Sequence, residues 1–212
     1  MTRAGPVSPL PSPVSDLQMP TLWSTTSPAP WQAALKRYDA VVAQQGVAKL
    51  ADRARWYRDE LPGLIAARRP RHVTLAELVK LTEWKMSRGT WRAPNLVLVK
   101  GNDPAEVKAA TTEGIALAPD PVAPIKRITE LAGVGPATAS GVLSAAEPGI
   151  YPFFDELVAA QVPGLGTVAF TLGYYRRYAE ALREKAAALG GKWTPTLVER
   201  ALWAASGGKA GA

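Results

Sequence analysis

The sequence predicts an all-α protein on three observations. Apolar residues recur at three- and four-residue spacing along most of the chain, and capping residues or prolines stand where these periodic segments begin. Nothing in the chain calls for a sheet. The 212 residues are enough for one domain of moderate size with a sizeable core, or for two small lobes.

The first half of the chain begins with a segment of distinct composition. Seven prolines among serines and threonines in residues 1–30 predict a disordered tail, and helical spacing begins at Trp31. Thr74 and Glu77 form a capping box, so a helix starts there and stops near Gly89. The helices predicted in this half cover 31–45, 47–60 up to an interruption at Pro62, a further turn or two over 64–68, and 75–86.

The second half is predicted to be helical as well. The apolar run 95–100 has the composition of a strand, but its helical neighbours favour a short helix. Asp103 caps a helix that has Pro104 at its first position. The remaining predicted helices cover 104–116, 121–131, 136–146, a short stretch from Asp155, 167–189 and 195–205. The helical domain is therefore expected over 31–206, and the small residues of 207–212 predict a frayed tail.

The stretch 131–143 has the form of a helix-hairpin-helix. Gly133 and Gly135 allow positive φ and a close approach by a ligand, while Pro136 suits the first position of the second helix. The side chain of Val134 is expected to be buried beneath the turn. Free N–H groups at a helix start, together with the helix dipole, form a phosphate site. An ordinary glycine-rich turn between two helices is the alternative.

Charge and composition narrow the possible functions. Residues 31–127 hold 17 Lys and Arg against 10 Asp and Glu, whereas residues 128–212 hold seven of each, so the net charge of +7 lies before the hairpin. Such a surface suits a polyanionic partner. The absence of cysteine excludes disulfides, thiolate zinc sites and iron–sulfur clusters, and with the single His72 no metal site is expected.

Targeting signals are not evident. No apolar run approaches the length of a membrane span, and the N-terminus lacks the layout of a secretion signal. We expect an intracellular, nuclear protein that does not contact membranes.

The stretch around the hairpin resembles the helix-hairpin-helix DNA glycosylase superfamily, whose signature is Leu-Pro-Gly-Val-Gly-x-x-Thr-Ala. The matching positions are Leu131, Gly133, Val134, Gly135, Thr138 and Ala139, and Ala132 replaces the usual proline. The resemblance implies a two-lobed helical bundle that binds DNA and flips a base into a pocket between the lobes. Members that also cut the strand have a lysine where this chain has Ala137, so a lyase step by that route is excluded.

The same resemblance implies a role for Asp155. The superfamily places a catalytic aspartate at a fixed interval after the hairpin, and this interval ends at Asp155, with Glu156 as the adjacent alternative. A carboxylate facing the sugar can stabilise the positive charge that forms when a base leaves, and can orient water. The simpler interpretation is that Asp155 only caps the following helix.

A second group of candidate residues lies in 83–92, where cations alternate with indoles. Such a pattern suits the stacking of an unpaired base and the binding of its phosphates. Trp84 is equally well explained as a core residue, and Lys85 as a phosphate contact, an ion-pair partner or, if desolvated, an amine nucleophile. The candidate nucleic-acid-binding residues are therefore Trp84, Arg88 and Arg92 together with Gly133, Val134, Gly135, Ala137 and Thr138 of the hairpin.

The pattern Trp-Lys-x-x-Arg-Gly-x-x-Arg before this hairpin is similar to the Amun-like eukaryotic branch of the superfamily. This resemblance implies a nuclear, glycosylase-like protein with DNA as its partner, but no particular substrate. Three hypotheses follow: a hydrolytic glycosylase with Asp155 and Lys85 as its candidate catalytic residues, a catalytically silent DNA-binding or chromatin protein, and a protein-interaction module. We expect a monomer without a cofactor, apart from a monovalent cation that the hairpin carbonyls are able to bind.

Overall fold

All regular structure in the computed structural model, which describes residues 21–209, is helical. Every segment predicted as helical contains a helix, so the all-α prediction is confirmed. A 3-10 turn at Leu22–Ser24 precedes the first helix, and a π-helical turn at Trp56–Glu60 joins α3 to α4. The helices are α1 (Pro28–Lys36), α2 (Tyr38–Gln44), α3 (Leu50–Arg55), α4 (Leu61–Ala67), α5 (Leu75–Arg88), α6 (Ala93–Lys100), α7 (Pro104–Ala116), α8 (Ala123–Ile128), α9 (Pro136–Ala146), α10 (Glu156–Ala159), α11 (Leu172–Leu189) and α12 (Pro195–Ala205).

The ordered part of the chain begins earlier than Trp31. The predicted tail 1–30 lies outside the described residues as far as 20, but its last ten residues include the 3-10 turn and the start of α1. The Trp23 and Trp31 rings meet edge to face with centroids 6.4 Å apart, and Lys185 Nζ donates a hydrogen bond of 2.8 Å to the Trp23 carbonyl. The predicted boundary at residue 30 is therefore wrong, because long-range packing orders the segment that precedes it.

Two predicted helices differ in their course. The helix expected over 31–45 is divided at Arg37 into α1 and α2. Pro62 does not interrupt the helical path. It lies in the first turn of α4, where its missing N–H removes no hydrogen bond. The Leu61 N–H donates to the Trp56 carbonyl across the π-helical turn.

The local capping signals are confirmed. The Thr74 hydroxyl accepts the Glu77 N–H while the Glu77 carboxylate accepts the Thr74 N–H, which completes the predicted capping box of α5. The Asp103 carboxylate caps α7 by accepting the N–H groups of Ala105 and Glu106. The predicted bounds of α9 and α12 agree with the structure, whereas α8 ends at Ile128 rather than at Leu131.

Helix α9 lies at the centre of the fold. Its residues 137–145 are all buried, and it packs against α4, α5, α7 and α8. Small side chains allow this, since a Cβ at Gly141 would lie 3.1 Å from the Leu81 side chain. A second set of contacts joins α12 to α1, α2, α10 and α11. Helix α5 reaches both sets, because its last turn pairs with α12 through Arg88.

The end of the described chain is packed rather than frayed. Gly208 is buried against Gln45 and Trp203, and Lys209 Nζ donates to the Gly89 carbonyl at 3.1 Å. The predicted fraying is therefore wrong for residues 207–209, while 210–212 lie outside the described residues. Across residues 21–209, no helix has both the length and the apolarity needed to cross a membrane.

Candidate functional site

A cleft of about 210 Å³ opens where the end of α5, the start of α9 and the start of α10 meet. This volume is below the roughly 300–1,000 Å³ typical of pockets for drug-sized ligands. The cleft brings together most of the residues that the sequence singled out. Its lining includes Lys85, Arg88, Arg92, Gly133, Gly135, Ala137 and Asp155 of the predicted set, with Phe153, Phe154, Glu156, Phe170 and Lys209.

The connection between α8 and α9 uses its two glycines differently. Gly133 has φ +73, and a Cβ there would lie 2.6 Å from the Asn95 carbonyl oxygen, so this glycine is required by packing against α6. Gly135 has φ −97 and nothing within 4 Å of an added Cβ. The expected positive φ is therefore confirmed for Gly133 and wrong for Gly135, which instead leaves open space beside the cleft. Val134 is buried, as predicted.

The start of α9 offers unpaired backbone donors. Pro136 occupies the first turn and has no N–H, and no side chain caps the helix. Among residues 21–209, the N–H groups of Gly135, Ala137 and Thr138 have no protein acceptor. Gly135 and Ala137 line the cleft. Unpaired N–H groups at the positive end of an eleven-residue helix favour an anion at this wall.

Asp155 caps α10 and lines the same cleft. Its Oδ1 accepts the Leu157 N–H at 2.9 Å, and its Oδ2 lies 3.0 Å from Nε of Arg88. The residue is 8% exposed and lines the cleft. The predicted capping role is therefore confirmed, and two interactions fix the direction of the carboxylate.

Arg88 occupies a buried ion-pair cluster rather than the protein surface. Its guanidinium lies between Asp155 and Glu199, and its side chain is only 2% exposed. The Trp203 ring packs on it with 4.4 Å from Cζ to the ring centroid. The interpretation of Arg88 as a phosphate contact is therefore corrected: its guanidinium donates a hydrogen bond to Glu199 and forms an ion pair with Asp155, so it acts on the cleft through Asp155.

Glu199 completes this cluster from α12. Burial raises the pKa of Glu199 to about 7, against the opposing effect of Arg88, and the nearby Asp155 carboxylate raises it further. One buried cation thus lies against two carboxyl groups, those of Asp155 and Glu199. No sequence pattern indicated Glu199, because it lies 111 residues from Arg88 in the chain.

Trp84 lies inside the core and does not reach the cleft. It is fully buried and stacks on Tyr57 with ring centroids 3.7 Å apart. The alternative interpretation of Trp84 as a core residue is confirmed, and its proposed stacking on an unpaired base is corrected. The aromatic side chain at the mouth of the cleft is Phe170, which is 45% exposed and packs against Phe154 at 4.9 Å between centroids.

Lys85 and Arg92 are two of the cationic residues that line the cleft, with Arg88 and Lys209. Nζ of Lys85 lies 3.4 Å from Oγ1 of Thr138, in the first turn of α9. Burial lowers the pKa of Lys85 and the Arg92 charge lowers it further, whereas Glu156 raises it. Arg92 is exposed. Thr138 is itself buried, so it orients the lysine rather than facing a ligand.

Comparisons with protein-family models, with curated proteins and with solved structures find no match. In the part of the chain that the structure describes, no three His, Asp or Glu side chains are grouped so that they could hold a metal ion.

Proposed function

We propose that this protein binds DNA through a helix-hairpin-helix formed by α8, residues 129–135 and α9, and that it acts as a glycosylase-like protein on a base flipped into the cleft. The observation that carries the proposal is the cleft itself. It is lined by Gly135 and Ala137, whose amides are unpaired, and by Asp155, Lys85 and Arg92. The amides and cations suit the phosphate of a nucleotide, and the carboxylate suits the positive charge that its sugar carries in the transition state.

Binding of the backbone is the first step of this proposal. The amides at the start of α9 and the exposed Arg92 would contact phosphate oxygens. The surplus of positive charge in residues 31–127 would attract the polyanion and make binding salt-dependent. Phe170, exposed at the mouth of the cleft, offers a ring on which a flipped base stacks.

Hydrolysis of the N-glycosidic bond is the proposed chemistry. As the base leaves, positive charge develops on the sugar, and a carboxylate aimed at it lowers the barrier. The Leu157 N–H and Arg88 fix the direction of Asp155. Because Ala137 replaces the lysine of the strand-cutting members, the attacking group in this scheme is water.

A second candidate function is a catalytically silent DNA-binding or chromatin protein on the same scaffold. The surroundings of Asp155 favour it. Both carboxylate oxygens already have protein partners, and the positive charge of Arg88 offsets the negative charge that would stabilise a cationic sugar. Both forms of the proposal include four further features: a nuclear location, a two-lobed glycosylase-like arrangement, a monomeric state and a monovalent cation at the hairpin carbonyls.

The test measures binding and base release on duplexes with a panel of damaged or mismatched bases. We expect binding that weakens steeply with salt, and release of at least one base. Asp155→Asn should keep the binding and reduce release by about 10²–10³-fold, whereas Glu180→Gln, an exposed acid on α11, should change neither.

Gly135→Ala provides a matched test of the hairpin. A methyl group at this open position would stand between the amides and a phosphate, so DNA binding should weaken. Gly149→Ala is the control, because it also meets nothing within 4 Å and lies outside the cleft. Binding without any base release would support the silent alternative. Absence of salt-dependent DNA binding would overturn the proposal.

A further inference from the structure

Lys85 is an amine in the cleft that has no acidic partner. Its nearest hydrogen-bonding group is the neutral Thr138 hydroxyl, at the long distance of 3.4 Å, and within residues 21–209 it forms no ion pair. The other lysine of the cleft, Lys209, donates to the Gly89 carbonyl and to Thr90 at 3.1 and 3.3 Å. Lys85 therefore differs from an ordinary surface lysine, which is solvated or paired.

The surroundings of Lys85 oppose its charged form. Its side chain is largely covered, the positive end of α9 lies at Thr138, and Arg92 is close enough to lower its pKa further. Glu156 acts in the opposite direction, and so does the last turn of α5, in which Lys85 itself lies. The net effect is a lowered pKa. A desolvated lysine with more of its neutral amine is a nucleophile towards carbonyl groups.

The position of this amine is as informative as its surroundings. Lys85 extends from α5 to the first turn of α9, where its Nζ meets the Thr138 hydroxyl, and it lines the same cleft as Gly135 and Ala137, whose amides are unpaired. A ligand with a phosphate on those amides and a carbonyl one sugar ring away would present that carbonyl to Lys85. Asp155 lines the same cleft and would face the same ring.

We propose that Lys85 is a nucleophilic amine that forms a Schiff base with an aldehyde bearing a phosphate group, as found in the open-chain form of an abasic deoxyribose. The identification of abasic DNA as the source rests on the proposed function; a free phosphorylated aldehyde shares the chemistry. The neutral amine adds to the aldehyde carbon and a proton moves to the oxygen, which gives a carbinolamine. Loss of water, with the second amine hydrogen, leaves the imine, and water reverses both steps.

The test traps the imine by reduction. Cyanoborohydride delivers hydride to the imine carbon and leaves a stable secondary amine between protein and ligand. Two probes separate the sources: a duplex with one abasic site, and pyridoxal 5′-phosphate as a free phosphorylated aldehyde. A duplex with a tetrahydrofuran abasic analogue, which has no carbonyl, measures DNA binding alone. Peptide mass spectrometry then locates the modified amine.

We expect trapping at Lys85 with the abasic duplex. Lys85→Gln and Lys85→Arg should both reduce trapping to the level of a reaction without protein, although Lys85→Arg keeps the charge and the tetrahydrofuran duplex should still bind to it. Lys80→Gln is the matched control, since Lys80 lies on the same helix, outside the cleft and over the Trp56 ring at 4.3 Å. It should trap as the unmodified protein does.

The outcomes separate this inference from the proposed function. Binding of the tetrahydrofuran duplex without an adduct at Lys85 overturns the inference and leaves the proposed function standing. An adduct of pyridoxal 5′-phosphate at Lys85, without binding of either duplex, supports the amine and overturns DNA as the source. An adduct that persists in Lys85→Arg and maps to Lys209 or the N-terminal amine overturns the inference.

Discussion

Nε of Arg88 lies 3.0 Å from Oδ2 of Asp155, which joins the carboxylate at the cleft to an almost fully buried guanidinium. The same guanidinium binds Glu199 on α12. The direction of Asp155 therefore depends on two residues that a ligand would not need to touch. This arrangement leads to separate predictions for the charge cluster, the hairpin and the mouth of the cleft.

Arg88→Met is expected to destabilise the protein strongly. It removes the only cation bound between the carboxyl groups of Asp155 and Glu199 in the described structure, and both remain buried. Breaking a buried ion pair by removal of one partner costs about 3–5 kcal/mol. Urea unfolding measures this loss. Arg88→Met combined with Glu199→Gln should lose less, and a loss of under about 1 kcal/mol for Arg88→Met alone would contradict the role of the cluster.

Glu199 is expected to make the free energy of unfolding depend on pH. Its folded pKa of about 7 lies above its ordinary value of 4.5, so between these values the folded protein holds a proton that the unfolded chain has released. Stability therefore falls as the pH rises from about 4.5 to 7, and this contribution is constant below and above that window. Glu199→Gln should remove this fall. Urea unfolding at several pH values measures it, and identical slopes in both proteins would exclude Glu199 as the cause.

The two glycines of the hairpin are expected to respond differently to alanine. Gly133→Ala forces a side chain into φ +73 with its Cβ 2.6 Å from the Asn95 carbonyl, so a loss of stability of about 1–3 kcal/mol or more is expected. Gly135 has φ −97, and an added Cβ meets nothing within 4 Å, so Gly135→Ala should change the free energy of unfolding by no more than about 1 kcal/mol. Chemical unfolding distinguishes them, and equal losses would show that the connection is not packed as described.

Phe170→Ala is expected to affect ligand binding more than folding. The ring is 45% exposed at the mouth of the cleft. Stacking of a base on an aromatic side chain is worth about 1–3 kcal/mol, so affinity for a duplex with an unpaired base should fall by roughly tenfold, with little change for a fully paired duplex. Titration of both duplexes provides the measurement. Leu117→Ala, at a similarly exposed leucine outside the cleft, is the control.

Local signals in the sequence predicted most of the helices. The capping box of Thr74 and Glu77, and Pro136 at the start of α9, act within a single turn and so can be read from neighbouring residues. The order of residues 22–30 depends on contacts of Trp23 with Trp31 and Lys185, of which Lys185 lies 162 residues away. Such distant contacts leave no local pattern.

The same distinction applies to the candidate site. Asp155 is singled out by its interval after the hairpin, with a helix cap as the simpler interpretation; a cap is a local feature, and the structure confirms it. Trp84 and Arg88 have the residue types of a nucleic-acid contact, but α5 directs both of them inward. Phe170 lies before α11 in a segment that periodicity assigned to a helix, so its exposure at the cleft was not predicted.

The contacts of Arg88 also determine at which positions a substitution is able to change the ligand selectivity of the cleft. Because this residue connects α5, the start of α10 and α12, a substitution in the floor of the cleft disturbs three segments at once. Three exposed residues line the margin of the cleft and make no contact within the Arg88 cluster: Phe170, Arg92 and Glu156. Variants adapted to a different ring-shaped group would therefore differ at these marginal positions, while the three-way junction beneath them stayed the same.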